Sequence, residues 1–228
     1  MLLDVAEALC CPRCGPPQAL VVLVQRMEGR RVVAGCLACP TCEARFEVVD
    51  GRLDFRDPDA GPAALGPALA ARAEGSAAGA RSDEDAVVVA ALLGIRDGRG
   101  LLVTGPGLEA TAARIGALCG GCEVLQLGEA RDSDSPPASA LALESREANP
   151  PTSLVGVASE ALPLLDARVL GVALESGDSR SIAEAKRVLM PGGRLVVLRP
   201  APGAGTAVRG EGLEPIAEDA KAIVARRV

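Results

Sequence analysis

Two pairs of cysteines near the start of the chain have the spacing of a metal site. Cys11 and Cys14 enclose Pro-Arg, and Cys39 and Cys42 enclose Pro-Thr. A Cys-x-x-Cys turn allows two thiolates to reach one ion, and two such turns supply a closed tetrahedral set of sulfur ligands. Because four protein ligands leave no open coordination position, the spacing predicts a structural zinc site rather than a catalytic one.

The stretch between the two pairs is typical of a β-hairpin. Two apolar runs separated by Glu28-Gly29 make up "ALVVLVQRMEGRRVVAG", and a hairpin held by two cysteine turns is the architecture of a zinc ribbon. Cys10 and Cys36 each lie beside one pair and are alternative ligands, although the better spacing leaves them out. The other interpretation of the four cysteines is two reduced, buried pairs without metal.

The second chemical feature is a glycine-rich turn in "LLVTGPGLEATAARI", residues 101–115. Apolar residues precede the turn as in a strand, and an Ala/Thr/Arg/Ile run follows it as in a helix. Glycine in such a turn lets the backbone approach a phosphate or nucleoside closely. Gly105 and Gly107 suit this role, but Val103, Leu108 and Glu109 are unusual at positions that contact a ligand.

Composition limits the functions that these residues can serve. The chain has 228 residues, a formal net charge of −6 and no His, Trp or Tyr. This acidity argues against nucleic-acid binding through a broad basic surface, and the lack of histidine removes the commonest general base and metal ligand. Neither a signal peptide nor an apolar run of membrane-spanning length is evident, so a cytoplasmic location with reduced thiols is expected.

The elements that position the glycine-rich turn follow from the pattern after Asp83. Apolar strands and helices alternate there, which predicts a parallel sheet with helices on both faces. Strands are predicted in "GLLVTG", "EVLQLG", "SLVGVA", "ARVLGVAL" and "GRLVVLRP", and helices in "DEDAVVVAALLGI", "LEATAARIGAL", "SPPASALALESREA" and "SRSIAEAKRVL". The end of the chain predicts a closing antiparallel hairpin around Glu218-Asp219.

These patterns divide the chain into two predicted domains. The ribbon takes residues 1–57 and the α/β domain takes residues 83–228, with an Ala/Gly/Pro-rich linker over 58–82. Cys119 and Cys122 lie in a predicted loop of the second domain. A lone pair cannot close a tetrahedral site, so these two thiols are interpreted as incidental.

Residues 7–57 resemble the small zinc-ribbon proteins that activate tRNA, rRNA and release-factor methyltransferases. The resemblance depends on "EARFEVVDGRLDF" after the second cysteine pair, with an aromatic at Phe46, an Asp50-Gly51 turn and a final apolar strand from Leu53 to Phe55. In that family the ribbon adds a strand to the sheet of its partner enzyme. The resemblance therefore implies a protein partner, or strand addition within this same chain.

The second domain resembles the class I S-adenosylmethionine-dependent methyltransferases. Residues 184–198, "EAKRVLMPGGRLVVL", match the helix and fifth strand of that family, and "SEALPLL" at 159–165 resembles the turn after its third strand. The resemblance implies an α/β fold: a Rossmann-like methyltransferase sheet with a C-terminal antiparallel hairpin, joined to a small N-terminal β zinc ribbon. Glu184 and Arg187 belong to the part of the match that serves the fold.

The same resemblance implies where S-adenosylmethionine would be held, and those positions have lost their polar groups. In the family, acids end the first two strands, an aspartate follows the third, and an acid lies in the fourth. The corresponding residues here are Val103, Gly128, Val157 and Leu170. Gly105 and Gly107 keep two of the three loop glycines, and Glu109 replaces the third.

These features predict a non-catalytic methyltransferase-like protein that acts as a zinc-containing scaffold or assembly subunit for a partner protein. No residue is assigned a catalytic role, and binding of S-adenosylmethionine is expected to be weak or lost. The alternative is an active methyltransferase with a divergent pocket, acting on a small molecule or a protein. Its cofactor-binding residues would be Gly105, Gly107, Glu109 and Glu129. A third hypothesis is a sensor that binds another nucleotide or metabolite.

Overall fold

The computed structural model describes residues 1, 3–55, 83–96, 98, 100–108, 111–128, 152–155 and 162–228. Within them the helices are α1 (Leu3–Ala6), α2 (Asp83–Leu93), α3 (Ala112–Leu118), α4 (Ser179–Val188) and α5 (Ala204–Gly210). The strands are β1 (Val21–Glu28), β2 (Arg31–Ala38), β3 (Arg45–Val49), β4 (Arg52–Asp54), β5 (Leu101–Thr104), β6 (Glu123–Gly128), β7 (Thr152–Val155), β8 (Val169–Leu174), β9 (Leu189–Leu198), β10 (Glu214–Glu218) and β11 (Ala222–Arg226).

All of these strands belong to one sheet. Its order is β1-β2-β3-β4-β7-β6-β5-β8-β9-β11-β10. The strands from β4 to β9 in this order pair in parallel, whereas the first four strands and the final hairpin pair antiparallel. The direction of winding reverses between β5 and β8, and ligands of open α/β sheets bind at the carboxyl ends of the strands at such a point.

The ribbon strands form as their sequence predicts. β3 alternates, with Phe46 and Val48 buried and its other side chains exposed, because successive residues of a strand point to opposite faces. Asp50 and Gly51 both have positive φ, 49° and 75°, which the two-residue turn between paired antiparallel strands requires. The ring of Phe46 packs edge-on against Phe55 with centroids 5.0 Å apart.

Helices cover both faces of the parallel part of the sheet. α2 and α3 pack against Leu102 and Val124 on one face, and α4 and α5 pack against Val172 and Val197 on the other. The apolar core on this second face continues without interruption into the ribbon, where it includes Leu37. None of the helices in the described part of the chain is long and apolar enough to cross a membrane.

The predicted α/β fold class, the ribbon hairpin, the glycine-rich turn after a strand and the closing hairpin are confirmed. α1 and α5 are additional helices that the sequence did not predict. The linker over 58–82 and the helix expected in "SPPASALALESREA" lie outside the described residues, so the domain boundaries stay a prediction.

Candidate functional site

The structure brings the sulfur atoms of the two cysteine pairs together. Cys11 Sγ lies 3.6 Å from Cys42 Sγ, Cys14 Sγ lies 3.8 Å from Cys39 Sγ, and all four sulfurs lie within 4.8 Å of one another. Zinc with bonds of about 2.3 Å to sulfur in a tetrahedron requires sulfurs about 3.8 Å apart. The donor set and its dimensions therefore fit a closed tetrahedral zinc site.

The two cysteine turns have the same backbone construction. Gly15 donates its N–H to the carbonyl of Cys11 over 2.8 Å, and Glu43 donates to the carbonyl of Cys39 over 3.0 Å. Gly15 and Glu43 both have positive φ, 70° and 60°. Each turn thus closes on itself four residues after its first cysteine, and this closure directs both thiols of a pair to one side.

Backbone donors prepare this cluster for a cation. Burial acts to raise the pKa of Cys39, but hydrogen bonds from the backbone N–H groups of Cys42 and Thr41 and from the thiols of Cys42 and Cys11 together lower that pKa to about 7. The hydrogen bond with the Cys42 thiol is the main cause that raises the pKa of Cys14 to about 12. A divalent metal would displace the thiol protons and bind the sulfurs as thiolates.

The other cysteines stay outside this cluster. Cys10 is buried, and burial raises the pKa of its thiol to about 11. Burial also raises the pKa of Cys119 to about 11, and Cys122 donates its thiol to the Cys119 carbonyl over 3.2 Å. The thiols of Cys10 and Cys119 are therefore protonated near neutral pH, and they are poor nucleophiles and poor metal ligands. Cys36, on β2, is partly exposed and does not join the four-sulfur group.

The glycine-rich turn keeps its shape for reasons internal to the fold. Gly105 donates its N–H to the carbonyl of Ala173 over 2.8 Å, and a Cβ at this position would lie 3.0 Å from Leu174 Cδ2. Gly107 has φ of 88°, a conformation that favours glycine. Leu108 is fully buried in the core beside α2 and α3. The packing and conformation of the turn therefore explain why both residues are glycine, and a bound ligand is not needed to explain them.

Val103 does not present a polar group to the turn. Only 1% of Val103 is exposed, and it packs in the core of the second sheet face. Gly128 ends β6, where its Cα is the partner of Val155. Glu109, Glu129 and Val157 lie outside the described residues.

Leu170 lies away from the carboxyl ends of the strands. The parallel register of β5 and β8 places Val103 opposite Val172 and Thr104 opposite Ala173. Leu170 therefore lies near the amino end of β8, where its side chain is close to Gly100. The residue that follows the carboxyl end of β8 is Glu175, which is an acid.

Sequence reasoning missed a polar group at the carboxyl ends of the strands. Arg199 follows β9 with φ of 51°, and its Nη2 lies 3.7 Å from Glu175 Oε1 and 3.8 Å from Asp85 Oδ2. Thr104 Oγ1, at the end of β5, is buried without a hydrogen-bond partner among the described residues. A polar residue directly after an apolar strand, as in "VALES", was the available signal for Glu175.

Comparisons with known proteins agree with this architecture. No protein-family model and no curated protein matches the sequence. A solved structure of geranyl diphosphate methyltransferase in complex with SAM is similar with a TM-score of 0.53 and 15% identity, covering 64% of this chain and 85% of that chain. Geranyl diphosphate C-methyltransferase from Streptomyces coelicolor A3(2) is similar with a TM-score of 0.50 and 14% identity, covering 64% and 79%. This chain therefore has the fold of the class I S-adenosylmethionine-dependent methyltransferases, preceded by a ribbon of antiparallel strands that bears a four-cysteine cluster.

Proposed function

We propose that this chain is a non-catalytic methyltransferase-like protein that works as a zinc-containing scaffold for a protein partner. The observation that carries the proposal is Val103, an apolar side chain in the core at the position where the fold family ends its first strand with an acid. A carboxylate there would contribute a charge-assisted hydrogen bond of about 1.5–3 kcal/mol. Losing two such contacts would weaken cofactor binding by about 10²–10⁴-fold.

The metal part of the proposal is a structural zinc ion held by Cys11, Cys14, Cys39 and Cys42. The sulfur distances and the thiolate-stabilising backbone donors support it. The ion would hold the two cysteine turns together and contribute folding energy to a ribbon of small size.

The two edge strands of the sheet support the proposal of a protein partner. β10, one edge strand, contains Pro215 and carries Glu214 and Glu218 paired with arginines, features that discourage further strand pairing. β1, the other edge, exposes Val21, Leu23, Val24 and Met27. An apolar edge strand of this length is a surface on which an extended segment of another protein can pair.

A second candidate is an active methyltransferase, and the carboxyl ends of the strands favour it. Glu175 lies where an acid can face a ligand, and the buried hydroxyl of Thr104 lies at the end of the neighbouring strand. In this alternative, Glu175 would replace one of the lost contacts with S-adenosylmethionine or its substrate.

The decisive experiment is calorimetric titration of the zinc-loaded chain with S-adenosylmethionine and S-adenosylhomocysteine. Absence of heat and of thermal stabilisation at millimolar ligand is the expected result. Binding in the micromolar range would favour the enzyme instead, and Glu175→Gln should then weaken it. Glu214→Gln, which changes an acid on the exposed edge strand β10, is the matched control and should leave binding unchanged.

A substitution in β1 tests whether a protein partner binds to this edge of the sheet. Leu23→Lys places a charge on the exposed edge without changing a buried residue, so the fold should be kept. We expect a protein that co-purifies with the native chain to be lost from this variant and kept by Glu214→Lys on the opposite edge.

A further inference from the structure

The ribbon is joined to the parallel sheet by direct strand pairing. β4 has β3 on one side and β7 on the other. It runs parallel to β7, with Leu53 opposite Leu154 and Asp54 opposite Val155. The strand that would otherwise be the edge of the parallel sheet is therefore capped by the ribbon of the same chain.

A second attachment lies directly beside the metal centre. Cys10 donates its N–H to the carbonyl of Pro163 over 3.0 Å, and Leu165 donates to the carbonyl of Ala8 over 2.8 Å. Leu9 forms an isolated antiparallel bridge with Leu164. Cys10 immediately precedes Cys11, so the chain passes from this attachment straight into the first cysteine turn.

Residues 162–165, to which the ribbon is attached, are themselves held by side chains of α4. Arg187 donates to the carbonyl of Leu164 over 2.7 Å and to that of Leu162 over 2.9 Å. Leu162 in turn donates its N–H to Glu184 over 2.8 Å. Buried residues of α1 and of the first cysteine turn belong to the same apolar cluster as Leu164.

The ribbon and the parallel part of the sheet share one apolar core. Leu9, Leu53 and Leu164 are all fully buried and belong to one apolar cluster that extends from the ribbon to α4 and α5. Arg31 of β2 also lies 3.8 Å from Glu123 at the start of β6. Loss of order in the ribbon would therefore expose apolar surface on the sheet as well.

Each attachment is connected along the chain to one of the two cysteine turns. The first cysteine turn follows the segment bound to residues 163–165, and the second cysteine turn leads through β3 into β4. We infer that the zinc ribbon is an intramolecular clamp: metal held by the four cysteines keeps β4 on β7 and the ribbon on residues 162–165, and loss of the metal uncovers the β7 edge. This inference rests on the zinc proposed above, and it holds whether or not the domain binds S-adenosylmethionine.

Hydrogen–deuterium exchange of the full chain tests the clamp. Zinc-loaded protein is compared with protein stripped by a chelator under reducing conditions, with metal content measured by mass spectrometry. We expect amide protection in β4, in β7 and at residues 162–165 to fall on the order of 100-fold on metal removal, while β9 and β11 keep theirs. Exchange that rises only in residues 10–42, or equally across the whole chain, would overturn the inference.

Two variants separate the clamp from simple misfolding. Cys42→Ser should lose the metal and reproduce the exchange of stripped protein, whereas Cys36→Ser, outside the cluster, should keep both metal and protection. Arg187→Gln removes the hydrogen bonds that hold residues 162–165 and leaves the four cysteine ligands unchanged. It should keep one zinc per chain yet lose protection at residues 162–165. A chain that purifies without zinc and does not change on adding it would refute the zinc proposal, and the clamp with it.

Discussion

Arg187 donates a hydrogen bond of 2.7 Å to the carbonyl oxygen of Leu164, the residue whose backbone bridges to Leu9 of the ribbon. The guanidinium also pairs with Glu184 and Asp166, and these partners raise its pKa against the effect of burial. One side chain of α4 thus holds the turn to which the N-terminal segment of the ribbon is bound. The helix that carries it begins at a capping box in which Asp178 accepts from the Ser181 N–H over 2.8 Å.

Replacing Arg187 should therefore be costly. Arg187→Ala leaves the Glu184 carboxylate and two backbone carbonyls without their donor, in a site where the arginine side chain is only 21% exposed. We expect the free energy of unfolding to fall by about 2–4 kcal/mol. Urea unfolding measures it, with Lys186→Ala as the control because its ion pair with Glu211 lies at the surface. Equal effects of the two variants would contradict a structural role for Arg187.

The first cysteine turn requires glycine at position 15 because of its backbone conformation, and not because a Cβ would clash with a neighbour. Gly15 has φ of 70°, and a Cβ there would meet nothing within 4 Å. Gly15→Ala should therefore cost about 1–2 kcal/mol of stability through backbone strain alone, and it should weaken zinc binding because the strain opposes closure of the turn. Gly210→Ala is the matched control, since a Cβ there also meets nothing and its φ is not in the positive range. Competition for zinc with a colorimetric chelator measures the difference in affinity.

The four-cysteine cluster and the turns were predictable because their signals are local. Cysteine spacing, the Asp50-Gly51 turn and the alternation around Phe46 each depend on a few neighbouring residues. α5 was missed because its segment, "AGTAVRG", is short and rich in glycine and carries little apolar periodicity.

Contacts between distant parts of the chain were not predictable in this way. The level of Leu170 in the sheet was not predictable, because it depends on the register of β8 with the neighbouring strand β5, which the local pattern does not contain. For the same reason the sequence left open whether the ribbon adds its strand to this chain or to another. The pairing of Leu53 with Leu154 and the cluster of Arg199 with Glu175 and Asp85 emerge only from the three-dimensional fold.

The buried α-amino group of Met1 should make stability depend on pH. Met1 is 0% exposed, and burial, with a smaller contribution from Arg31, lowers the pKa of its amine from 8.0 to about 6. The unfolded chain then binds more protons between these values, so the free energy of unfolding rises with pH from about 6 to about 8. Two pKa units correspond to about 2.7 kcal/mol at most.

Zinc binding also strengthens with pH, so the effect is best isolated by comparing two proteins with the same metal site. Glu123 acts to raise the pKa of the Met1 amine, and Glu123→Gln should lower it further and extend the rise in stability to lower pH. NMR titration of the Met1 amine measures the pKa directly. An amine that titrates near 8 in the native protein would contradict the burial seen here.

Restoring the missing acid tests the scaffold proposal from the protein side. Val103→Asp places a carboxylate in an apolar core, because Val103 is 1% exposed, and we expect it to lower the free energy of unfolding by about 3–5 kcal/mol. Val103→Asn has nearly the same shape without the charge and should cost less. If residue 103 has become a core position, neither variant should gain affinity for S-adenosylmethionine. If instead the aspartate variant is stable and binds the cofactor while the asparagine variant does not, the position still faces a cofactor site, and the interpretation of residue 103 as a core position would be wrong.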